Sequence, residues 1–168
     1  MQKFNVSRMN SLLCSFLTVK ISEQRFALAI HLMEDYGDEQ VFAQAQANDI
    51  TPILAHSFEG IDEIKLSMQW HRVHSSTYHQ ITAYLAELDL VAKKLADSNI
   101  LIVALKNGGI ARGIYSCPGC CPMGDLDILV ERRHFHRVHQ FLLELGFYFE
   151  FRSPLGESEL QVAENGGG

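Results

Sequence analysis

Asp125 and Asp127 stand one residue apart at the entrance of an apolar run, in "PMGDLDILV", and a glycine pair, Gly108 and Gly109, lies shortly upstream in "LKNGGIARG". Read as a strand, residues 125–130 place the two carboxylates on one face with Cα atoms about 6.5 Å apart, while Leu126, Ile128 and Val130 take the other face. Like charges that close are unfavourable unless a cation or a shared proton relieves them. Magnesium suits such a pair, because it binds carboxylate oxygens together with substrate phosphates and keeps several waters. Two such ions, about 3.5–4 Å apart, clamp the attacking and leaving oxygens of a phosphoryl displacement. Asp125 and Asp127 are therefore the expected metal ligands and catalytic acids.

The segment Lys106, Asn107, Gly108, Gly109 is the expected phosphate-binding counterpart. Glycines after a strand can adopt positive φ and let a phosphate approach the backbone N–H groups, and the helix that follows directs its positive end at the same point. Lys106 either reaches a phosphate or ends the strand in solvent. Arg132 and Arg133 open a later helix and read as a solvated face. In "CPGCC", Cys117-x-x-Cys120 is half of a zinc site with His134 and His136 near in sequence, but no second pair stands at zinc-finger spacing. The four cysteines are expected to be reduced, and a zinc-stabilised interaction domain around Cys117, Cys120 and Cys121 stands as an alternative reading of the chain. His71, His74 and His79 read as ordinary helix residues, and Trp70 as core.

The elements that must position these residues follow from periodicity. Residues up to about 60 read as short helices: "SEQRFALAIHLMEDYG" has a candidate N-cap in Ser22 and stops at Gly37, and "ITPILAHSF" tolerates Pro52 in its first turn. The stretch from Asp62 to Asn99 carries Leu66, Trp70, Val73, Tyr78, Ile81, Leu85, Leu88, Val91 and Leu95 at three- and four-residue steps, the stripe of one long amphipathic helix or of two. After Asn99 the period changes. "ILIVALK" predicts a strand buried on both faces, "NGG" a break, "IARGIY" a brief helix, "DLDILV" a second strand, and "ERRHFHRVHQFLLELG" a helix capped by Gly146. "FYFEFR" and "ESELQVA" are expected as third and fourth strands.

A chain of 168 residues with 47% hydrophobic residues can bury a core. Its net charge of -6 argues against broad nucleic-acid binding, which depends on lysine and arginine neutralising phosphates. No apolar run reaches the length of a membrane span and no signal-peptide pattern is evident, so a cytoplasmic location without membrane association is expected. The closing "ENGGG" suggests a fragment of a longer protein.

"NILIVALKNGGIARGIY" followed by "PGCCPMGDLDILV" resembles the nucleotidyltransferase superfamily related to DNA polymerase β, and more narrowly the bacterial uncharacterised nucleotidyltransferase family; the long helix before the first strand is similar too. The resemblance runs from about Trp70 to Phe151. It implies an α+β fold, with a helical N-terminal region over 1–97 and a polymerase-β-like core with a mixed β-sheet over 98–168, incomplete at its C-terminus. It implies ATP or another nucleoside triphosphate as substrate, two magnesium ions, and transfer of a nucleoside monophosphate to an acceptor hydroxyl on a protein side chain, a sugar or a small molecule. The superfamily also uses a third carboxylate, often the general base; Glu159 is the candidate within this chain, and a position beyond Gly168 is the alternative. Two positions depart from the narrower pattern: Asn107 stands where glycine usually follows the lysine, and Cys121 where arginine usually precedes the proline. The alternative to an enzyme is a catalytically inactive nucleotide-binding or assembly module of the same fold.

Overall fold

The computed structural model describes residues 6–17, 23–115 and 117–148, which fold as α+β. The chain forms two compact units, neither continuous in sequence: Met1–Ala83 with Asn107–Gly124, and Tyr84–Lys106 with Asp125–Gly168.

The first unit is helical. It contains α1 (Val6–Ser15), α2 (Glu23–Tyr36), α3 (Asp38–Ala47), α4 (Thr51–Glu59) and the N-terminal part of α5 (Met68–Ala96). Helix α6 (Lys106–Gly113) beyond its first residue, and a 3-10 turn over Pro118–Cys120, complete it. Gly37 separates α2 from α3 because its φ of 79° is one that other residues adopt at a cost, and its N–H closes α2 on the Met33 carbonyl at 2.9 Å. The core gathers Met9, Leu13, Phe16, Leu32, Phe58 and Trp70, all fully buried. Burial of each such side chain contributes about 1.5–3 kcal/mol. Trp70 sits edge-on to Phe42 with ring centroids 5.0 Å apart, and its indole N–H donates to Asp38 Oδ1 at 2.6 Å.

The second unit holds the rest of α5, two short strands β1 (Ile102–Ala104) and β2 (Ile128–Val130), a 3-10 turn over Arg132–His134, and α7 (Phe135–Glu144). From Trp70 to Leu95 the periodic stripe lies on one continuous helix, α5, with Leu66 just before it. This helix ends as α3 and α7 do: a residue at positive φ follows the helix, and the next apolar residue donates back five positions. Asp49, Asn99 and Gly146 hold the positive φ, and Ile50, Ile100 and Phe147 bond to Ala45, Leu95 and Leu142. This pattern satisfies terminal carbonyls and returns an apolar side chain to the helix. The core of this unit is Val91, Leu95, Ile100 and Val138, with Ile102, Val130, Phe141 and Leu142 packed on it.

β1 and β2 pair antiparallel, with Ile102 opposite Val130, Val103 opposite Leu129 and Ala104 opposite Ile128. Three sequence expectations change here. The strand expected from Asp125 begins only at Ile128, so Asp125 and Asp127 occupy the extended approach to β2. The strand expected to be buried on both faces alternates instead: Ile102 and Val130 pack on the α5 and α7 side chains, while Val103 and Leu129 are each 56% exposed. The expected mixed sheet is, among the described residues, one antiparallel pair. Phe147 and Tyr148 lie outside any strand; the rest of the expected third strand and all of the fourth fall outside the described residues. Among the described residues, no helix is long and apolar enough to cross a membrane.

Candidate active site

The backbone brings the two sequence segments of interest to one place. Just past the β1–β2 pairing, the Leu105 N–H donates to the Asp127 carbonyl at 2.9 Å, which sets Asp127 beside the residue before Lys106. The Lys106 side chain then reaches Asp127, with Nζ 2.7 Å from Oδ2. The lysine side chain is 73% exposed and the aspartate 36%, so the pair opens to solvent. The Lys106 ammonium is held protonated above its ordinary range, first by the hydrogen bond to Asp127, then by that carboxylate's charge, with Asp125 adding a smaller attraction. Lys106 thus neutralises Asp127 at contact distance, while Asp125 attracts it only weakly.

Lys106 also takes a left-handed φ of 47°, rare for a residue with a side chain. It turns the chain from strand to helix within a residue, and α6 starts at Lys106 itself. The expected glycine turn is thus corrected. Asn107, Gly108 and Gly109 lie in the first helical turn, and neither glycine has a positive φ. Their N–H groups belong to the turn whose donors lack intrahelical acceptors, so any affinity for phosphate comes from the helix start rather than from a glycine loop. Gly108 is buried, and Asn107 and Gly109 are exposed.

Asp125 is exposed and Asp127 half-exposed. The donors they offer are carboxylate oxygens open to water, the set a hard divalent ion such as magnesium takes. Glu159 lies outside the described residues. One residue with evident ligand chemistry escaped the sequence reading: His56 on α4, which the fold places beside His74 and the Cys117-x-x-Cys120 turn. Only the cysteine spacing signalled that cluster.

A family model described as an uncharacterised nucleotidyltransferase matches residues 34–165, a span that includes Lys106, Asp125, Asp127 and Glu159. No curated protein and no solved structure matches significantly.

Proposed function

The chain belongs to the uncharacterised nucleotidyltransferase family, and from that membership we propose that it moves a nucleoside monophosphate from a nucleoside triphosphate to an acceptor hydroxyl. The acceptor oxygen bonds to the α-phosphorus, the bond from that phosphorus to the bridging oxygen breaks, and pyrophosphate leaves. The acceptor's proton passes to a carboxylate, for which Glu159 is the candidate. Asp125 and Asp127 would hold magnesium, which when bound neutralises triphosphate charge and fixes its orientation. The side chain of Lys106 supplies a further positive charge for phosphate oxygens, and the N–H groups of Asn107, Gly108 and Gly109 supply donors. Such chemistry rests on positioning and charge more than on covalent steps. The acceptor is a protein side chain, a sugar or a small molecule.

The reading is carried by the family match over residues 34–165, with the Lys106–Asp127 ion pair at 2.7 Å as the local geometry beside it. The same ion pair also favours a second reading, in which the lysine permanently neutralises Asp127 and the fold is a binding module without turnover. Incubating the protein with each labelled nucleoside triphosphate and magnesium separates the two. Pyrophosphate release that disappears in Asp127→Asn supports transfer; nucleotide binding with no release from any of the four nucleotides supports the module.

A further inference from the structure

The turn over Pro118–Cys120 packs against α4 and α5, and four side chains meet there. They are His56 from α4, His74 from α5, and Cys117 and Cys120 on either side of Pro118 and Gly119. One nitrogen or sulfur from each lies within 4.8 Å of all the others. We propose that His56, His74, Cys117 and Cys120 form a tetrahedral Zn²⁺ site that fastens the 117–120 turn to α4 and α5.

The donor set selects the metal. Two thiolates and two imidazoles suit zinc and do not suit magnesium or calcium. With Zn–S near 2.3 Å and Zn–N near 2.0–2.1 Å, tetrahedral donors stand about 3.3–3.8 Å apart. Cys117 Sγ already lies 3.4 Å from His74 Nε2. The His56 and His74 rings lie nearly parallel, with centroids 5.3 Å apart, and close the other side of the cluster.

The turn is shaped for this contact. The Cys120 N–H donates to the Cys117 carbonyl at 3.0 Å and the Cys121 N–H to the Pro118 carbonyl at 3.1 Å, which curls both cysteines toward the histidines. Gly119 passes so close to His74 that a Cβ there would stand 2.8 Å from Nε2 and 3.1 Å from the Tyr78 Cβ. All four cysteines are free thiols, so no disulfide competes for the sulfurs. His56 is exposed, Cys120 buried and the other two intermediate, which leaves an entry path from solvent.

A coordinating thiol is deprotonated outright by the cation it binds, so Cys117 and Cys120 would bind as thiolates. The site is independent of the transferase reading, since none of its four ligands is assigned a part in it.

Metal analysis of the full chain, purified without a histidine tag, tests this. About one zinc per chain is expected, falling more than tenfold in Cys120→Ser and in His56→Gln but not in Cys121→Ser or His71→Gln. Because a ligand variant can unfold, the wild-type apoprotein is also titrated with Co²⁺. Intense visible bands of tetrahedral cobalt with thiolate charge transfer, reaching saturation at one equivalent and bleached by zinc, are expected. A wild-type chain that holds no zinc and shows no thiolate–cobalt band overturns the proposal, as do folded ligand variants with wild-type zinc content.

Discussion

Lys106 and Asp127 face each other across the open end of the β1–β2 pair, joined by a 2.7 Å ion pair and anchored by the backbone bond from Leu105 to Asp127. Under the proposed transferase reading, a lysine at this place would have two roles in turn: it neutralises Asp127 while no nucleotide is bound, and it would face phosphate when one is. The left-handed backbone at Lys106 holds its side chain at this corner.

Replacing Lys106 with methionine removes the cation that competes for Asp127. Binding of Mn²⁺, followed by its paramagnetic resonance signal, is expected to strengthen a few-fold. Affinity for a triphosphate in the presence of metal is expected to weaken about tenfold, the size of one lost charge-assisted contact. Metal binding unchanged from wild type would detach Lys106 from the carboxylate pair.

Asp125→Asn keeps the shape of an exposed side chain and removes a negative charge. Its melting temperature is expected to match that of the wild type, because surface substitutions of this kind usually change stability by less than about 0.5 kcal/mol. Nucleotidyl transfer is expected to fall about a hundredfold to a thousandfold, the scale seen when one electrostatic contributor to a transition state is removed. Equal losses of stability and turnover would mark Asp125 as structural.

Trp70 is the one tryptophan of the chain, so its fluorescence reports the helical core directly. Trp70→Ala is expected to cost about 3–5 kcal/mol in urea unfolding followed by circular dichroism. Asp38→Ala leaves the indole N–H without the acceptor at 2.6 Å and is expected to cost about 1–3 kcal/mol, with a shifted tryptophan emission maximum. An unmoved emission spectrum in Asp38→Ala would mean that this bond does not persist in solution.

Gly119→Ala forces a methyl group to within 2.8 Å of His74 Nε2 and should displace either the turn or the imidazole. Zinc content is expected to drop severalfold. At Gly113 nothing lies within 4 Å of an added Cβ, so Gly113→Ala at the end of α6 is the matched control and should hold wild-type zinc. Equal zinc in both variants would remove the close approach from the account.

Removing zinc with a chelator is expected to lower the melting temperature of the wild type, and one equivalent of zinc to restore it, because a ligand bound only by the folded state stabilises it by mass action. Cys120→Ser should be indifferent to both additions. A melting temperature that ignores chelator in the wild type would oppose a folded-state metal.

Helix positions were legible wherever periodicity and stop signals coincided. The helices expected to stop at Gly37 and Gly146 do so, with both glycines at positive φ, and α5 ends just before Asn99, where the period changes. The strand ends were less legible. Apolar content in "ILIVALK" suggested burial on both faces, yet composition cannot say how many strands and helices cover a sheet; here α5 and α7 side chains cover one face. "NGG" resembled a turn because glycine permits positive φ, whereas the chain makes its turn at Lys106, where the strand pairing and the ion pair with Asp127 hold the less favourable conformation.

By itself the sequence determined the family and the helical stripe of α5, and it singled out Asp125, Asp127 and Lys106 as candidate site residues, because these depend on residue types at short spacing. Tertiary structure alone decided that Lys106 neutralises Asp127 and that His56 and His74 join Cys117 and Cys120. Those partners come from separate elements, and their distances are set by which apolar faces pack together, something no local spacing encodes.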